Sequence, residues 1–177
     1  MTKLSRRVFL GSAPAAAAAA GVFGTLFSSA AEAAINWDDT YNVIVIGAGG
    51  AGLSAAVSAK EAGCKKVVVL EKMMFAGGNT IRAGGGFNAA IKADYEKAGI
   101  KDSPDLHAQQ TLAAGDGRGD PVLVHQLTEK APESVQWLKD HSVKFEDHIY
   151  QIYAGLYKRA RNPIGPRGGA YIKALLE

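Results

Sequence analysis

The fold of this chain is decided by twelve consecutive residues, Tyr41-Asn42-Val43-Ile44-Val45-Ile46-Gly47-Ala48-Gly49-Gly50-Ala51-Gly52. The first six form a compact, largely β-branched run, which predicts a buried parallel strand. The glycine turn leads into an Ala-rich stretch, 53–62, with good helix propensity, and Gly63 is placed to end that helix. A second apolar run, Val67–Leu70, predicts another strand. The order of strand, glycine turn, helix and strand predicts an α/β chain that opens with a Rossmann-like βαβ unit.

Each glycine of the turn has a physical role in binding a dinucleotide. Gly47 permits the tight turn, Gly49 lets the backbone approach a pyrophosphate, and Gly52 lets the helix pack closely on the strand. The first helical amides lack intrahelical partners and lie at the positive end of the helix dipole, so they bind phosphate oxygens. Glu71, 19 residues beyond Gly52, is placed to accept hydrogen bonds from ribose hydroxyls and to repel a 2′-phosphate. A flexible loop is the alternative for the glycines alone; the whole pattern predicts dinucleotide binding.

A second glycine cluster, residues 77–86, favours a flavin over a nicotinamide cofactor. It holds five glycines in ten residues. Bare backbone there lets the main chain lie close against a flat ligand and leaves amides free to donate hydrogen bonds. A nicotinamide domain usually continues from its second strand into another crossover helix and has no need of such a stretch. Two alternatives stay open, a disordered glycine loop and a piece of an NAD-dependent dehydrogenase.

At residues 41–90 the chain resembles the soluble fumarate reductase flavoproteins, a family that includes succinate dehydrogenase flavoprotein subunits and related periplasmic FAD-dependent reductases. The resemblance continues more loosely through 117–121, 135–138 and 161–169. It implies that residues 34–177 are the N-terminal part of an FAD-binding domain, with further helices after the βαβ unit. The family positions carried over are Gly47, Gly49, Ala51 and Gly52 for the FAD pyrophosphate, Glu71 for the adenosine ribose, and Asn79, Thr80, Gly85 and Gly86 for the flavin half.

Two positions depart from the family pattern. Membrane-bound members attach FAD covalently through a histidine, and the matching position here is Asn79, so the resemblance implies FAD held without a covalent bond. A later pattern, Arg-x-His-x-Pro, reads Arg159-Ala160-Arg161-Asn162-Pro163 in this chain. The contact made by that histidine is therefore not carried over.

The resemblance also implies an activity for the full enzyme. Reduced flavin would deliver hydride from N5 to an activated carbon–carbon double bond of fumarate, another dicarboxylate or a related acrylate or enone. A periplasmic cytochrome c or a quinol-linked partner would supply electrons. The family's substrate-binding and proton-donating residues have no counterpart here, so we predict no catalytic residue and expect a fragment that lacks the capping domain. The alternative is a complete, non-catalytic dinucleotide-binding module.

Residues 1–33 predict an export signal. The segment Ser5-Arg6-Arg7-Val8-Phe9-Leu10 resembles the twin-arginine signal, and an uncharged run, 8–31, ends in Ala31-Glu32-Ala33. We therefore predict a periplasmic protein with no stable membrane span after cleavage. An uncleaved anchor is the alternative, because the uncharged run is long enough to cross a bilayer.

Composition excludes several other classes of protein. Hydrophobic residues make up 47% and charged residues 21%, so the chain can bury a core. The net charge is +3, of which the first 33 residues supply +2, and this argues against a nucleic-acid surface. The single cysteine, Cys64, excludes an internal disulfide and a CxxC site. We predict no metal site, because no common spacing relates His107, His125, His141 and His148.

The remaining segments predict packing rather than chemistry. Ser103-Pro104 and Asp120-Pro121 each pair a good N-cap with a proline at the first helical position. A packed face is predicted for the second of these helices from Leu123, Leu127, Ser134, Val135 and Leu138. A final helix is predicted near 170–177. A solvated loop is the simplest interpretation of the basic residues Lys158, Arg159, Arg161 and Arg167, and an arginine facing a carboxylate or a phosphate is the alternative.

Overall fold

Five strands and five α-helices lie in residues 38–152 and 157–177, the parts of the chain that the computed structural model describes. The predicted leader, 1–33, lies outside these residues. The elements belong to one unit, Tyr41–Glu177. In chain order they are β1 (Val43–Ile46), α1 (Gly50–Glu61), β2 (Val67–Leu70), a 3₁₀ turn (Thr80–Arg82), β3 (Phe87–Asn88), α2 (Lys92–Lys97), α3 (Pro104–Ala114), α4 (Pro121–Asp140), β4 (Tyr150–Gln151), β5 (Lys158–Arg161) and α5 (Gly168–Leu176).

The predicted βαβ unit is present, and the α/β class is confirmed. Strands β1 and β2 pair in parallel, with Val43 opposite Val67 and Ile46 opposite Leu70, and α1 is the crossover. The helix ends as the sequence indicates. Gly63 has a φ of +90°, and its amide and that of the next residue donate to carbonyls in the last turn of α1. A left-handed residue favours glycine, which explains why the helix ends there.

Helix α5 packs against α1 and so closes the βαβ unit on one side. The buried residues of this core are Ala48 and Leu53 from the glycine turn and α1, with Ile172 and Leu175 from α5. The predicted final helix is therefore confirmed, and it has a structural task. It fixes the start of α1, where the first glycine turn lies.

A second, antiparallel sheet has the strand order β3-β5-β4, and the sequence patterns did not predict it. Three of the four basic residues, Lys158, Arg159 and Arg161, lie in β5, so the interpretation as a solvated loop is wrong for them, whereas Arg167 is exposed and precedes α5. Arg159 and Arg161 are both buried. Arg159 binds the Asp102 carboxylate through Nε at 3.0 Å and Nη2 at 2.7 Å, and Arg161 Nη2 lies 2.6 Å from Asp94 Oδ2. The alternative of an arginine facing a carboxylate is the one the structure supports, because paired charges are what allow guanidinium groups to be buried.

Helices α3 and α4 pack against each other and start where the sequence indicates. Ser103 Oγ accepts the Leu106 amide at 3.0 Å, and Asp120 Oδ1 accepts the Val122 amide at 2.8 Å, so both predicted N-caps are present. The packed face of α4 is shifted from the prediction. Its buried members are Thr128, Ala131, Val135 and Leu138, whereas Leu123 and Leu127 are 62% and 60% exposed. Within the described residues, no helix combines the length and hydrophobicity that crossing a bilayer requires.

Candidate functional site

The first glycine turn joins β1 to α1, and each predicted glycine is required there for a different reason. Gly47 has a φ of +99°, and its amide donates to the Leu70 carbonyl at 2.7 Å. A Cβ on Gly52 would lie 1.9 Å from the Gly47 carbonyl oxygen, so only glycine allows this contact between helix and turn. A Cβ on Gly49 would meet no atom within 4 Å. Gly49 therefore borders open space, as a close approach by a ligand requires.

The start of α1 presents hydrogen-bond donors without partners. Gly49 is the N-cap residue, with extended backbone and no side chain to cap the helix. Across the described residues, the amides of Gly49, Ala51 and Gly52 donate to no protein acceptor. Three unpaired N–H groups at the positive end of a twelve-residue helix form an anion-binding site.

Glu71 lies at the end of β2, beside this turn. Its Oε2 accepts the Ala48 amide at 2.7 Å, and its Oε1 accepts the Met73 amide at 2.9 Å. The Ala48 amide, followed by that of Met73, lowers the pKa of Glu71 below its ordinary value, because both amides bind the charged form. Each oxygen keeps a further lone pair. A fixed carboxylate that can only accept is therefore available for hydroxyl donors.

The second glycine cluster lies directly on the first. Gly77 donates its amide to the Ala48 carbonyl at 2.8 Å, and a Cβ on Gly78 would come within 3.4 Å of the Gly49 Cα. Thr80 Oγ1 accepts the Gly50 amide at 3.2 Å, so one first-turn donor of α1 already has a side-chain partner. The family resemblance implied that Thr80 lies near the flavin half and did not indicate this bond. No local signal could have revealed it, because Thr80 is 30 residues from Gly50.

Gly85 and Gly86 lie at the other end of this cluster, beside α5 and β4. Gly85 has a φ of +82°, and its Cβ would come within 2.9 Å of the Arg167 backbone. A Cβ on Gly86 would lie 2.7 Å from Tyr150 Oη. The backbone therefore requires glycine at position 85, whereas a Cβ on Gly86 would require only the ends of the Tyr150 and Ile152 side chains to shift. Asn79, the remaining predicted residue, precedes the 3₁₀ turn.

Seven of the predicted residues thus converge on one structure, the β1–α1 turn with its supporting segment; they are Gly47, Gly49, Ala51, Gly52, Glu71, Asn79 and Thr80. An open glycine, three free amides and a charged carboxylate suit the diphosphate and the adenosine ribose of FAD. The residues present therefore fit the cofactor.

Comparison with known proteins agrees with this geometry. A family model described as FAD binding domain matches residues 42–171. The chain belongs to the FAD-binding domain family. FAD as the cofactor and a resemblance to the fumarate reductase flavoproteins are thereby confirmed.

Relatives of this FAD-binding domain are flavoenzymes and reductases of unsaturated acids. It is 37% identical over 139 residues to a fumarate reductase (cytochrome) of Shewanella frigidimarina. The aligned region covers 78% of this chain and 24% of the relative. It is 36% identical over 149 residues to the acrylate reductase flavoprotein subunit of Shewanella woodyi, covering 84% and 29%. The chain spans about 12% to 29% of the length of the first curated relatives it matches.

Solved structures show the same fold. The open conformation of a flavocytochrome c3 fumarate reductase matches with a TM-score of 0.73 and 28% identity, over 86% of this chain and 27% of that one. A 3-ketosteroid-Δ4-(5α)-dehydrogenase of Rhodococcus jostii RHA1 matches with a TM-score of 0.70 and 26% identity, over 82% and 37%. The FAD-binding domain described here is thus shared by proteins that act on different substrates.

Among the described residues, one group of side chains of the types that bind metals lies elsewhere, on the surface of α3 and α4. Asp105, His125 and Glu129 bring one ligand atom each within 4.8 Å of the others. The prediction from the sequence rested on the spacing of the histidines alone and so did not include the Glu129 carboxylate, four residues after His125. Two exposed carboxylates beside a half-buried imidazole are an ordinary surface arrangement, so the absence of a metal site stays a prediction.

Proposed function

We propose that this chain binds FAD non-covalently as the cofactor-binding part of an exported oxidoreductase that reduces an activated carbon–carbon double bond. The substrate class is fumarate or a related acrylate or enone. When bound, the flavin would supply hydride from N5 while a proton from solvent completes the reduction of the double bond, and two electrons from a periplasmic cytochrome c or a quinol-linked donor, with one further proton, would restore the reduced flavin. The names of the fumarate and acrylate reductase relatives support this choice of substrates.

The proposal gives each part of the site a task. Gly47, Gly49, Ala51 and Gly52 would hold the pyrophosphate, and Glu71 would accept hydrogen bonds from the adenosine ribose. The flavin half would lie against Asn79, Thr80, Gly85 and Gly86. Asn79 offers no imidazole for a covalent bond to the flavin, which supports reversible binding. FAD should therefore leave the protein completely when it is denatured, and flavin retained by the polypeptide would contradict this part of the proposal.

The observation that carries the proposal is the open space at Gly49 beside the free amides of α1. Because a Cβ at Gly49 meets no protein atom within 4 Å and its φ is −79°, Gly49→Ala should leave the unliganded fold intact. The added methyl group would occupy the space that a pyrophosphate needs. We expect Gly49→Ala to lose most of its bound FAD, measured as the ratio of flavin absorbance to protein in the purified whole protein.

A matched control is Gly115→Ala, at the end of α3. Gly115 has a φ of −91°, and a Cβ there would make only ordinary contact, at 3.4 Å from the Thr111 carbonyl oxygen. This variant should retain the wild-type flavin content. Equal flavin content in both variants would contradict the placement of the pyrophosphate.

The reaction is tested separately from binding. With an artificial one-electron donor, the FAD-loaded whole protein should oxidise the donor only when an acceptor with an activated carbon–carbon double bond is added. Parallel assays with fumarate, acrylate, urocanate and a steroid enone would identify the substrate, and a cytochrome c or a quinol would then replace the artificial donor. A flavin-loaded protein that reduces none of these acceptors would contradict the proposed reaction and leave FAD binding standing.

Export rests on the predicted leader. Replacing Arg6 and Arg7 together by lysine should retain the precursor in the cytoplasm, because the resemblance is to a signal that is recognised by its two arginines. Cell fractionation measures the result. Normal appearance of the mature form in the periplasm would contradict the twin-arginine route.

A further inference from the structure

We propose that Tyr171, on α5, is a positioning residue that orients the Gly86 amide toward the flavin. This inference rests on the proposed function, because it assumes that the segment Gly84–Gly86 faces the flavin half of FAD. It adds a residue to which no role in cofactor binding has been given. The structure places Tyr171 behind this segment.

The key contact is a hydrogen bond from the Tyr171 hydroxyl to the Gly85 carbonyl oxygen, at 2.6 Å. The Gly85 carbonyl and the Gly86 N–H belong to one planar peptide group, and in a trans peptide they point in opposite directions. Fixing the carbonyl toward α5 therefore fixes the N–H away from α5. Within the described residues, the Gly86 amide donates to no acceptor. The Gly86 N–H is therefore a donor whose direction is set, and a bound flavin would supply its acceptor.

The tyrosine is itself held firmly. Its ring packs edge-on to Phe87, with centroids 6.4 Å apart, and lies 6.2 Å from the ring of Phe145. Burial, followed by the nearby Tyr150 hydroxyl, raises the pKa of Tyr171 well above its usual value, while Arg161 acts in the opposite direction. The phenol therefore remains protonated and able to donate across the range in which the protein is folded.

Glycine is required where α5 meets this segment. Gly85 has a positive φ, and any side chain there would collide with the Arg167 backbone. At the first position of α5, a Cβ on Gly168 would lie 1.9 Å from the Thr80 carbonyl oxygen, while the Gly168 amide donates to the Ala83 carbonyl at 3.3 Å. The start of α5 thus supports the segment from Thr80 to Gly86. The Tyr171 hydroxyl adds a side-chain hydrogen bond from α5 to the Gly85 peptide.

Tyr171→Phe tests the inference, because it keeps the ring and removes only the donor. Loss of one hydrogen bond that aligns a ligand-binding amide should weaken FAD binding by about three- to tenfold. It should also change the shape of the visible flavin absorption band, since a hydrogen bond to the flavin is altered. A purely structural role would lower the melting temperature and leave the flavin spectrum and affinity unchanged.

Tyr157→Phe is the matched control. The Tyr157 hydroxyl also donates to a main-chain carbonyl, that of Lys101, and Tyr157 lies outside the glycine segments. This variant should bind FAD with wild-type affinity and spectrum. Unchanged affinity and spectrum in Tyr171→Phe, or equal changes in both variants, would overturn the inference.

Measurements on the wild-type whole protein decide the remaining outcomes. If Tyr171→Phe does not fold, hydrogen exchange is measured on the wild type instead. FAD should then slow the exchange of the Gly86 amide, and an exchange rate that FAD leaves unaltered would overturn the inference. A wild type that binds no FAD contradicts the proposed function and the inference with it. A wild type that binds FAD, with Tyr171→Phe indistinguishable from it, overturns only the inference.

Discussion

At the scale of single residues, the first glycine turn shows how much a sequence pattern can predict. The roles of Gly47 and Gly52 are set by local geometry, a positive φ at Gly47 and the lack of room for a Cβ at Gly52, so they follow from the spacing of the motif. The partner of Thr80 and the contact of Tyr171 with Gly85 join residues 30 and 86 positions apart. Nothing in the local sequence encodes such pairs, which explains why sequence analysis missed them.

Gly52→Ala should behave differently from the substitution at Gly49. Its methyl group would overlap the Gly47 carbonyl, so α1 would have to move away from β1. We expect the variant to lose its FAD. We also expect its free energy of unfolding to fall by roughly 1–3 kcal/mol, as at other overpacked sites. Thermal unfolding of the flavin-free protein measures this. A flavin-free Gly52→Ala protein as stable as the wild type would contradict the contact.

Glu71 should make stability depend on pH in the acid range. Because two amides bind its charged form, its pKa is lower in the folded chain than in the unfolded one. Its contribution is therefore present above the unfolded pKa and is lost as the pH falls through the folded value. Between about pH 6 and pH 3, the melting temperature of the wild type should fall more than that of Glu71→Gln.

Glu129→Gln is the control for this titration, because Glu129 is exposed and accepts no main-chain amide within the described residues. Its melting temperature should follow that of the wild type at each pH. Parallel curves for the wild type and Glu71→Gln would show that Glu71 is not held as described.

At the scale of elements, the two sheets differ in how far the sequence predicts them. The β1–α1–β2 unit is formed by neighbouring segments with strong patterns. The β3-β5-β4 sheet pairs Phe87 with Arg161, far apart in the chain, through strands of only two to four residues. The sequence alone predicts solvated side chains for Arg159 and Arg161, because only the tertiary structure brings Asp102 and Asp94 to them.

The buried pair Arg159–Asp102 should anchor β5 to the start of α3. Asp102→Ala would leave a buried guanidinium without its carboxylate, and we expect the free energy of unfolding to fall by about 3–5 kcal/mol. Chemical denaturation measures the change. Glu133→Ala, which breaks the exposed pair with Lys130, is the control and should cost less than about 1 kcal/mol. Equal effects of the two variants would contradict the burial of the Arg159 pair.

At the scale of the whole molecule, the parallel sheet is covered incompletely. Parallel sheets are usually buried on both faces. In this chain Ile46 is 87% exposed, Ile44 is 57% exposed and Leu70 is 52% exposed, and the neighbouring Met74 and Phe75 are also exposed. Exposed apolar surface on a parallel sheet is typical of a face that packs against something else. The curated relatives named above are several times longer than this chain.

A polypeptide restricted to residues 34–177 should therefore bind a hydrophobic dye and unfold over a broad range of denaturant. The exposed residues on β1 and β2 leave apolar surface in water, and among the described residues each of these strands is paired along one edge only. Dye fluorescence and near-ultraviolet circular dichroism measure the outcome. A sharp unfolding transition without dye binding would contradict this expectation.

The main-chain bond from Gly77 to Ala48 has a consequence for binding kinetics. Because it ties the two glycine segments together before any ligand arrives, little chain entropy is left to lose when the cofactor enters. The receptor is shaped in advance, so we expect association to follow a single exponential whose rate rises in proportion to ligand concentration. A loop that had to order itself first would impose a ceiling on that rate.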